Sequence, residues 1–213
     1  MKNSYSLSTL QRLPTYYHYL KGLDDSVKTI SATQIAKALN LGEVQVRKDL
    51  AEGCGEGKPK IGYNRENLIE KLKDYLGCGV QTTPSIIIGT GKLGQALMGY
   101  KGFDDYGLKI LAGFDVRSGV VGNRIGDKEI YHVDQISQFV KENQIKLAIL
   151  TLPDVYAQEI ANLLVKAGIE GIWNFSPAHI TAKKDVVIRN ENLAASLAIL
   201  SRQMTDKSNK VKD

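Results

Sequence analysis

Apolar residues between positions 8 and 23 recur at helical spacing through Leu10, Leu13, Tyr16, Tyr17, Leu20 and Leu23. This predicts a helix that Pro14 either starts or kinks, with the tyrosines turned into a core. Ser31-Ala32-Thr33-Gln34 has the form of a capping box, in which the serine hydroxyl takes an unpaired N–H and the glutamine reaches back. It opens a short helix from Ala32 to Leu39, with Ile35, Ala36 and Leu39 inward. Asn40-Leu41-Gly42 reads as a turn with Gly42 available for positive φ, and Glu43 to Ala51 as a second helix carrying Val44 and Leu50 as apolar residues. Two short helices across a Gly-containing turn form a helix-turn-helix pattern. Gly53, Gly55, Gly57 and Gly62 make the next stretch too glycine-rich for a helix interior and predict a small hairpin, or wing. Helical spacing returns from Asn64 to Leu76, and Gly77-Cys78-Gly79 closes the segment as a linker.

From Ser85 onward apolar strands alternate with helices: Ile86–Gly89, Gln95–Tyr100, Ile110–Asp115, Val133–Glu142, Leu147–Leu152, Val155–Ala167 and Ile172–Phe175. Such alternation implies right-handed crossovers and a parallel sheet covered on both faces. A last strand, Val186–Ile188, precedes an apolar helix from Leu193 to about Met204, and the charged tail from Asp206 to Asp213 is expected to be disordered. The fold class is therefore α/β, with an N-terminal winged helix-turn-helix domain (1–80), a Rossmann-like doubly wound parallel sheet (81–190), and a C-terminal helix and tail (191–213). That helix follows a completed sheet, so its apolar side needs a partner surface, and a homodimer supplies one.

The strand-to-helix junction Ile86-Ile87-Ile88-Gly89-Thr90-Gly91-Lys92-Leu93-Gly94 carries the most specific chemistry. An apolar run opening into G-x-G-x-x-G delivers a dinucleotide pyrophosphate to a helix N-terminus. The three glycines serve the tight turn, the backbone approach to phosphate and helix–strand packing. Asp115 ends the second apolar strand 21 residues after Gly94, where a carboxylate accepts ribose hydroxyls and disfavours a 2′-phosphate. Arg117 works the other way, because arginine accommodates such a phosphate. NAD is therefore the expected cofactor. Tyr100 and Phe103, Thr151 and Pro153, and Asn174 and Phe175 fall at strand ends, where they would wall the nicotinamide half of the site. An apolar pocket there penalises the cationic NAD+ ring more than the uncharged NADH ring.

Composition narrows the functional classes. Lys+Arg exceed Asp+Glu by 28 to 23, a net +5 over 213 residues. That excess permits nucleic-acid binding without arguing for it. Cys54 and Cys78 form no C-x-x-C pair, and His18, His132 and His179 lie far apart, so no metal site is expected and a reducing cytoplasm is. No segment has the apolar length of a signal core or a membrane span. On the second helix of the helix-turn-helix, Gln45, Arg47 and Lys48 are side chains suited to base edges and phosphates, while Lys58 and Lys60 on the wing are placed for phosphate or a minor groove. Double-stranded operator DNA is the expected partner. Catalysis is not expected, since nothing after the sheet offers a substrate domain, and His179 has no evident orienting carboxylate.

These features together resemble the Rex family of redox-sensing transcriptional repressors, from about Leu10 to Met204. The resemblance is carried by Arg12-Leu13-Pro14 with its tyrosines, Ser31-Ala32, Val46-Arg47-Lys48-Asp49-Leu50, the wing ending Gly62-Tyr63, Gly89 to Gly94, Tyr100 to Phe103, Thr151 to Pro153 and Asn174-Phe175. It implies a homodimer with exchanged C-terminal helices, with NADH and NAD+ competing for one site. It also implies repression of genes for NADH reoxidation, and it adds Ser31 and Tyr63 to the residues expected at DNA. In some members a first-helix arginine pairs across the dimer with an aspartate near the last helix. Arg12 matches the arginine, but Asn192 stands in place of the aspartate. Lys92, Lys101 and Arg117 are further departures. The rival reading is a small NAD(P)-dependent oxidoreductase whose N-terminal helices mediate oligomerisation.

Overall fold

The computed structural model describes residues 6–78, 82–182 and 185–210, and side chains as far as 206. Gly79 of the expected linker and the last three residues of the expected tail lie outside them. The chain divides into two compact units, one of residues 1–82 with 104–107 and one of residues 83–103 with 108–213.

In the first unit, α1 (Leu7–Lys21) holds Pro14 in its interior and buries Leu13, Tyr16, Tyr17 and Leu20. A short strand β1 (Thr29–Ile30) leads into α2 (Ala32–Leu39), whose capping box is present as Ser31 with Gln34. α3 (Glu43–Cys54) follows, then β2 (Tyr63–Asn64), antiparallel to β1, and α4 (Arg65–Tyr75), capped by the Asn64 side chain. Four details differ from the sequence reading. The left-handed residue of the inter-helix turn is Asn40 (φ 53°), while Gly42 sits at φ −70° as the N-cap of α3. Asparagine tolerates that conformation because its short polar side chain bonds locally. Val44 is exposed, and Val46 with Leu50 forms the buried stripe instead. α3 also runs on through Gly53, where a Cβ would come within 2.3 Å of the Tyr75 ring, so this glycine permits close helix packing. The wing is reduced to a turn closed by reciprocal backbone bonds between Lys58 and Gly62, both 2.8 Å.

A buried polar cluster ties α3 to α1. Asp49, 4% exposed, accepts two bonds from Arg12 at 2.7 Å, one from the Tyr16 hydroxyl at 2.7 Å and one from Thr9 at 3.3 Å. Arg12 is thus held within its own unit.

The second unit is built on β3 (Thr83–Ile88), β4 (Leu108–Asp115), β5 (Arg124–Ile125), β6 (Lys128–His132), β7 (Leu147–Leu150), β8 (Gly171–Asn174) and β9 (Val187–Asn190), ordered β5-β6-β4-β3-β7-β8-β9. All pairings are parallel except the β5–β6 hairpin. α5 (Lys92–Gly99), α6 (Ile136–Glu142) and α7 (Asp154–Ala167) make crossovers, and residues 101–106 form a 3-10 turn of which 101–103 belong to this unit and 104–106 to the first. The chain winds outward from β3 through β4 and β6, then restarts at β7 on the other side. This topological switch between β3 and β7 leaves a crevice at the carboxyl ends of the strands. The core under it contains Ile86, Ile88, Phe114, Leu150 and Ile172, all buried.

β5 and β6 were absent from the expected elements, and the last strand is shifted to Val187–Asn190. The terminal helix α8 (Leu193–Lys210) continues through residues expected to be a disordered tail. An Arg202–Asp206 pair one helical turn apart supports that extension.

Candidate functional site

β3 ends at Ile88 and the chain turns at Gly89 with φ +91°, where a Cβ would lie 2.7 Å from the Thr151 carbonyl oxygen. Only glycine fits both constraints. Around Gly91 a Cβ would meet nothing within 4 Å, which leaves room for a phosphate against the backbone. Gly91 is the N-cap of α5 and no side chain caps that helix, so its first N–H groups are available to an anion. At Gly94 a Cβ would come 2.1 Å from the Gly89 carbonyl oxygen, so the helix can lie this close to the loop only without a side chain. The junction therefore fits a pyrophosphate. Gly94→Ala is expected to push α5 from the loop and weaken NADH binding at least tenfold, measured by fluorescence titration, the scale of about 1.4 kcal/mol of lost contact.

Asp115 is 5% exposed. Its carboxylate accepts from Thr90 N and Oγ1, both 2.8 Å, and from Arg117 N, Nε and Nη2 at 3.0, 2.9 and 2.7 Å. Burial alone would raise its pKa. The bonds from Arg117 and Thr90 outweigh that and hold it well below the usual carboxylate range. Asp115 therefore also ties the phosphate loop to β4, a task its sequence position did not reveal.

A groove of about 660 Å³ opens along this edge, lined by Gly89, Gly91, Asp115, Arg117, Thr151 and Pro153 among the expected residues. It also has Val116, Val133, Tyr156, Glu159 and Ile160 as walls, the last three from α7, which sequence reasoning missed. Thr90 and Gly94 are buried beneath it, and Lys92 and Leu93 are exposed on the first turn of α5. The nicotinamide-side expectations fare differently. Tyr100, 60% exposed, meets Phe103 edge-on at 5.0 Å, Phe103 meets Trp173 at 6.1 Å, and Trp173 lies 4.4 Å from Phe175, forming an aromatic row outside the groove. Asn174, expected on the nicotinamide side, ends β8. It is fully buried, with its amide donating to Ala178 O at 2.7 Å and Asn190 Oδ1 at 2.8 Å, while its oxygen accepts from Ser176 N. Such an amide, bonded at both ends, has little left for a ligand.

In the first unit, a polar trough of about 930 Å³ is lined by Ser31, Arg47, Lys48, Lys58, Lys60 and Tyr63 together with Gln34. Six of the seven residues expected at DNA are thus brought together, from α2, α3 and the wing. Gln45 is exposed on α3 but outside the trough. The Ser31 hydroxyl accepts from Gln34 N at 3.1 Å, closing the helix cap, and Arg47 is bonded to Glu43 one turn earlier. Tyr63 packs its ring where a Gly57 Cβ would stand, 2.9 Å away, and so shapes the wing root.

Among the described residues no cluster of His, Cys, Asp and Glu could hold a metal, and no helix is long and apolar enough to cross a membrane.

Residues 6–51 match the family described as "Putative DNA-binding protein N-terminus", and residues 80–178 that described as "CoA binding domain". The chain is 41% identical over 200 residues to a redox-sensing transcriptional repressor Rex of Treponema denticola, covering 93% of this chain and 95% of the relative. It is 37% identical to the Rex of Caldicellulosiruptor saccharolyticus, over 97% of this chain and 94% of that one. Among solved structures, RSP in complex with β-NAD+ and operator DNA superposes with a TM-score of 0.90 at 35% identity, over 99% of this chain and 97% of that chain. RSP with β-NADH gives 0.87 at 34% identity, over 99% of both chains. With matches of this extent spanning both units, the chain belongs to the Rex family of redox-sensing transcriptional repressors.

Proposed function

We propose that this protein is a redox-sensing repressor that binds operator DNA as a homodimer and leaves it when NADH replaces NAD+. The observation that carries this reading is the presence of two built sites in one chain. One is a cationic helix-turn-helix trough, and the other is a switch-point groove headed by the three-glycine loop. RSP, similar over nearly the whole chain, is described in complex with both β-NAD+ and operator DNA. Gly89, Gly91 and the first turn of α5 would hold the pyrophosphate, Asp115 the adenosine ribose, and Thr151 with the Tyr100–Phe103 loop would approach the nicotinamide. Arg47, Lys48 and Gln45 would meet base edges, and Lys58 with Lys60 the backbone. The role is regulatory rather than catalytic, and the free thiols Cys54 and Cys78 accord with a cytoplasmic setting.

NADH can move the equilibrium only by its difference in affinity for DNA-competent and DNA-incompetent arrangements. A thousandfold release needs about 4 kcal/mol of that difference.

Selection from a random duplex pool in NAD+ tests the reading. A two-fold symmetric site should emerge, and Arg47→Ala or Lys48→Ala should lose about 1–3 kcal/mol on it with NADH affinity unchanged. Lys58→Ala and Lys60→Ala should instead lower the salt slope of binding by about one each. Recovery of no preferred duplex would overturn the DNA assignment.

A further inference from the structure

The five donors on Asp115 conflict with its role at the ribose. An ionised carboxylate offers about four lone-pair positions, and here all are taken. A ribose diol docking on it must replace two donors. Three of the five cannot leave without dismantling the site, because Thr90 N and Arg117 N are backbone groups of the turn and Thr90 is fully buried. The other two, Nε and Nη2 of Arg117, belong to a side chain 55% exposed in the groove wall. A ligand that offers hydroxyls to the carboxylate can take their place, because Asp115 then stays paired and the displaced guanidinium, more than half exposed, is received by solvent.

We propose that Arg117 is a specificity-determining residue, a displaceable counter-ion that competes with the cofactor's ribose for Asp115 and lowers discrimination against a 2′-phosphate. This rests on the cofactor reading above. Two effects follow from one side chain. While bound to Asp115, the guanidinium neutralises the charge that would repel a 2′-phosphate. Once displaced, it remains anchored two residues from the ribose acid, where its planar fork suits a phosphate monoester. A ligand with free 2′ and 3′ hydroxyls gains nothing from that fork and must still displace it. NADH is thus weakened and NADPH favoured by the same residue.

The test is fluorescence titration of the full chain with NADH and with NADPH, for wild type, Arg117→Ala and Arg117→Gln. Arg117→Ala should bind NADH about three- to tenfold more tightly and NADPH about tenfold more weakly, the scale of one or two partly solvated charge-assisted hydrogen bonds. Arg117→Gln, which keeps polar length but loses charge, should lose NADPH affinity equally. Parallel weakening of both cofactors would make Arg117 an ordinary wall of the groove and overturn the proposal, as would two unchanged affinities. A wild type that binds neither cofactor would instead refute the cofactor reading, a distinguishable failure.

Discussion

Ending the chain before Glu191 should abolish tight operator binding, with a loss of at least a hundredfold. α8 shows Leu193, Leu197, Ile199, Leu200 and Met204 at 52–67% exposure on a single chain. A stripe of that extent on a helix outside the sheet core is an aggregation liability unless a second subunit covers it. A helix-turn-helix repressor reads two half-sites at fixed spacing, and tethering one recognition unit to the other is worth about 10²–10⁴ in apparent affinity. Light scattering should show the truncated chain as a monomer or an aggregate. If it remains a soluble dimer that still binds operator and still responds to NADH, α8 is neither the clamp nor the coupling element. The assignment does not depend on the arginine–aspartate pair of some relatives, since Arg12 is bidentate to Asp49 here and position 192 is asparagine.

Asp49→Ala carries the second large effect. It leaves Arg12, the Tyr16 hydroxyl and Thr9 without their shared acceptor at the junction of α1 and α3, and losing a charge-assisted pair together with the partner of a buried hydroxyl costs about 2–3 kcal/mol. That is a large share of the stability of a domain this size. The winged-helix unit should unfold at lower denaturant than the nucleotide-binding unit, giving a split circular-dichroism transition. Operator binding should be lost and NADH titration unchanged. Asp49→Asn should recover only part of the loss, since it keeps the shape but not the charge facing Arg12. The same cluster sets an acid limit. Burial pushes the Asp49 carboxyl up, but the bonds from Arg12, Tyr16 and Thr9 hold it below its ordinary value. A depressed folded pKa means the contribution is complete above the unfolded carboxylate pKa and is lost as pH falls through the folded value. The winged-helix unit should therefore weaken below about pH 4. A midpoint for Asp49→Ala within error of wild type would show that the cluster is not a stability element.

Much of this was legible in the chain because the signals were local. A capping box needs two residues three apart, and the phosphate loop needs glycines at fixed spacing after an apolar run, so both were found where the structure has them. What was missed depends on distant partners. Asp49 looks like a polar residue on a solvated helix face until α1, some 37 residues earlier, brings Arg12 against it. β6 reads Lys-Glu-Ile-Tyr-His, with Ile130 alone deeply buried, too weak an alternation to mark a strand without its neighbour β4. Glu159, Tyr156 and Ile160 enter the groove because the crossover lays the start of α7 along it. Asn174 sits at a strand end, the position where ligand residues gather, yet the return strand β9 supplies Asn190 to engage its amide. Position along a strand indicates where a side chain could serve a ligand, and only the third dimension shows whether its hydrogen bonds are already taken.

The central claim, that one site reads a ratio and DNA binding reports it, is tested most directly by operator retention at a constant sum of NADH and NAD+ with their ratio varied. The account predicts that retained DNA falls as NADH displaces NAD+, follows the ratio rather than the total pool, and leaves the NADH unconsumed. DNA retention that ignores the ratio, accompanied by steady NADH oxidation on adding a carbonyl substrate, would contradict it and favour an oxidoreductase.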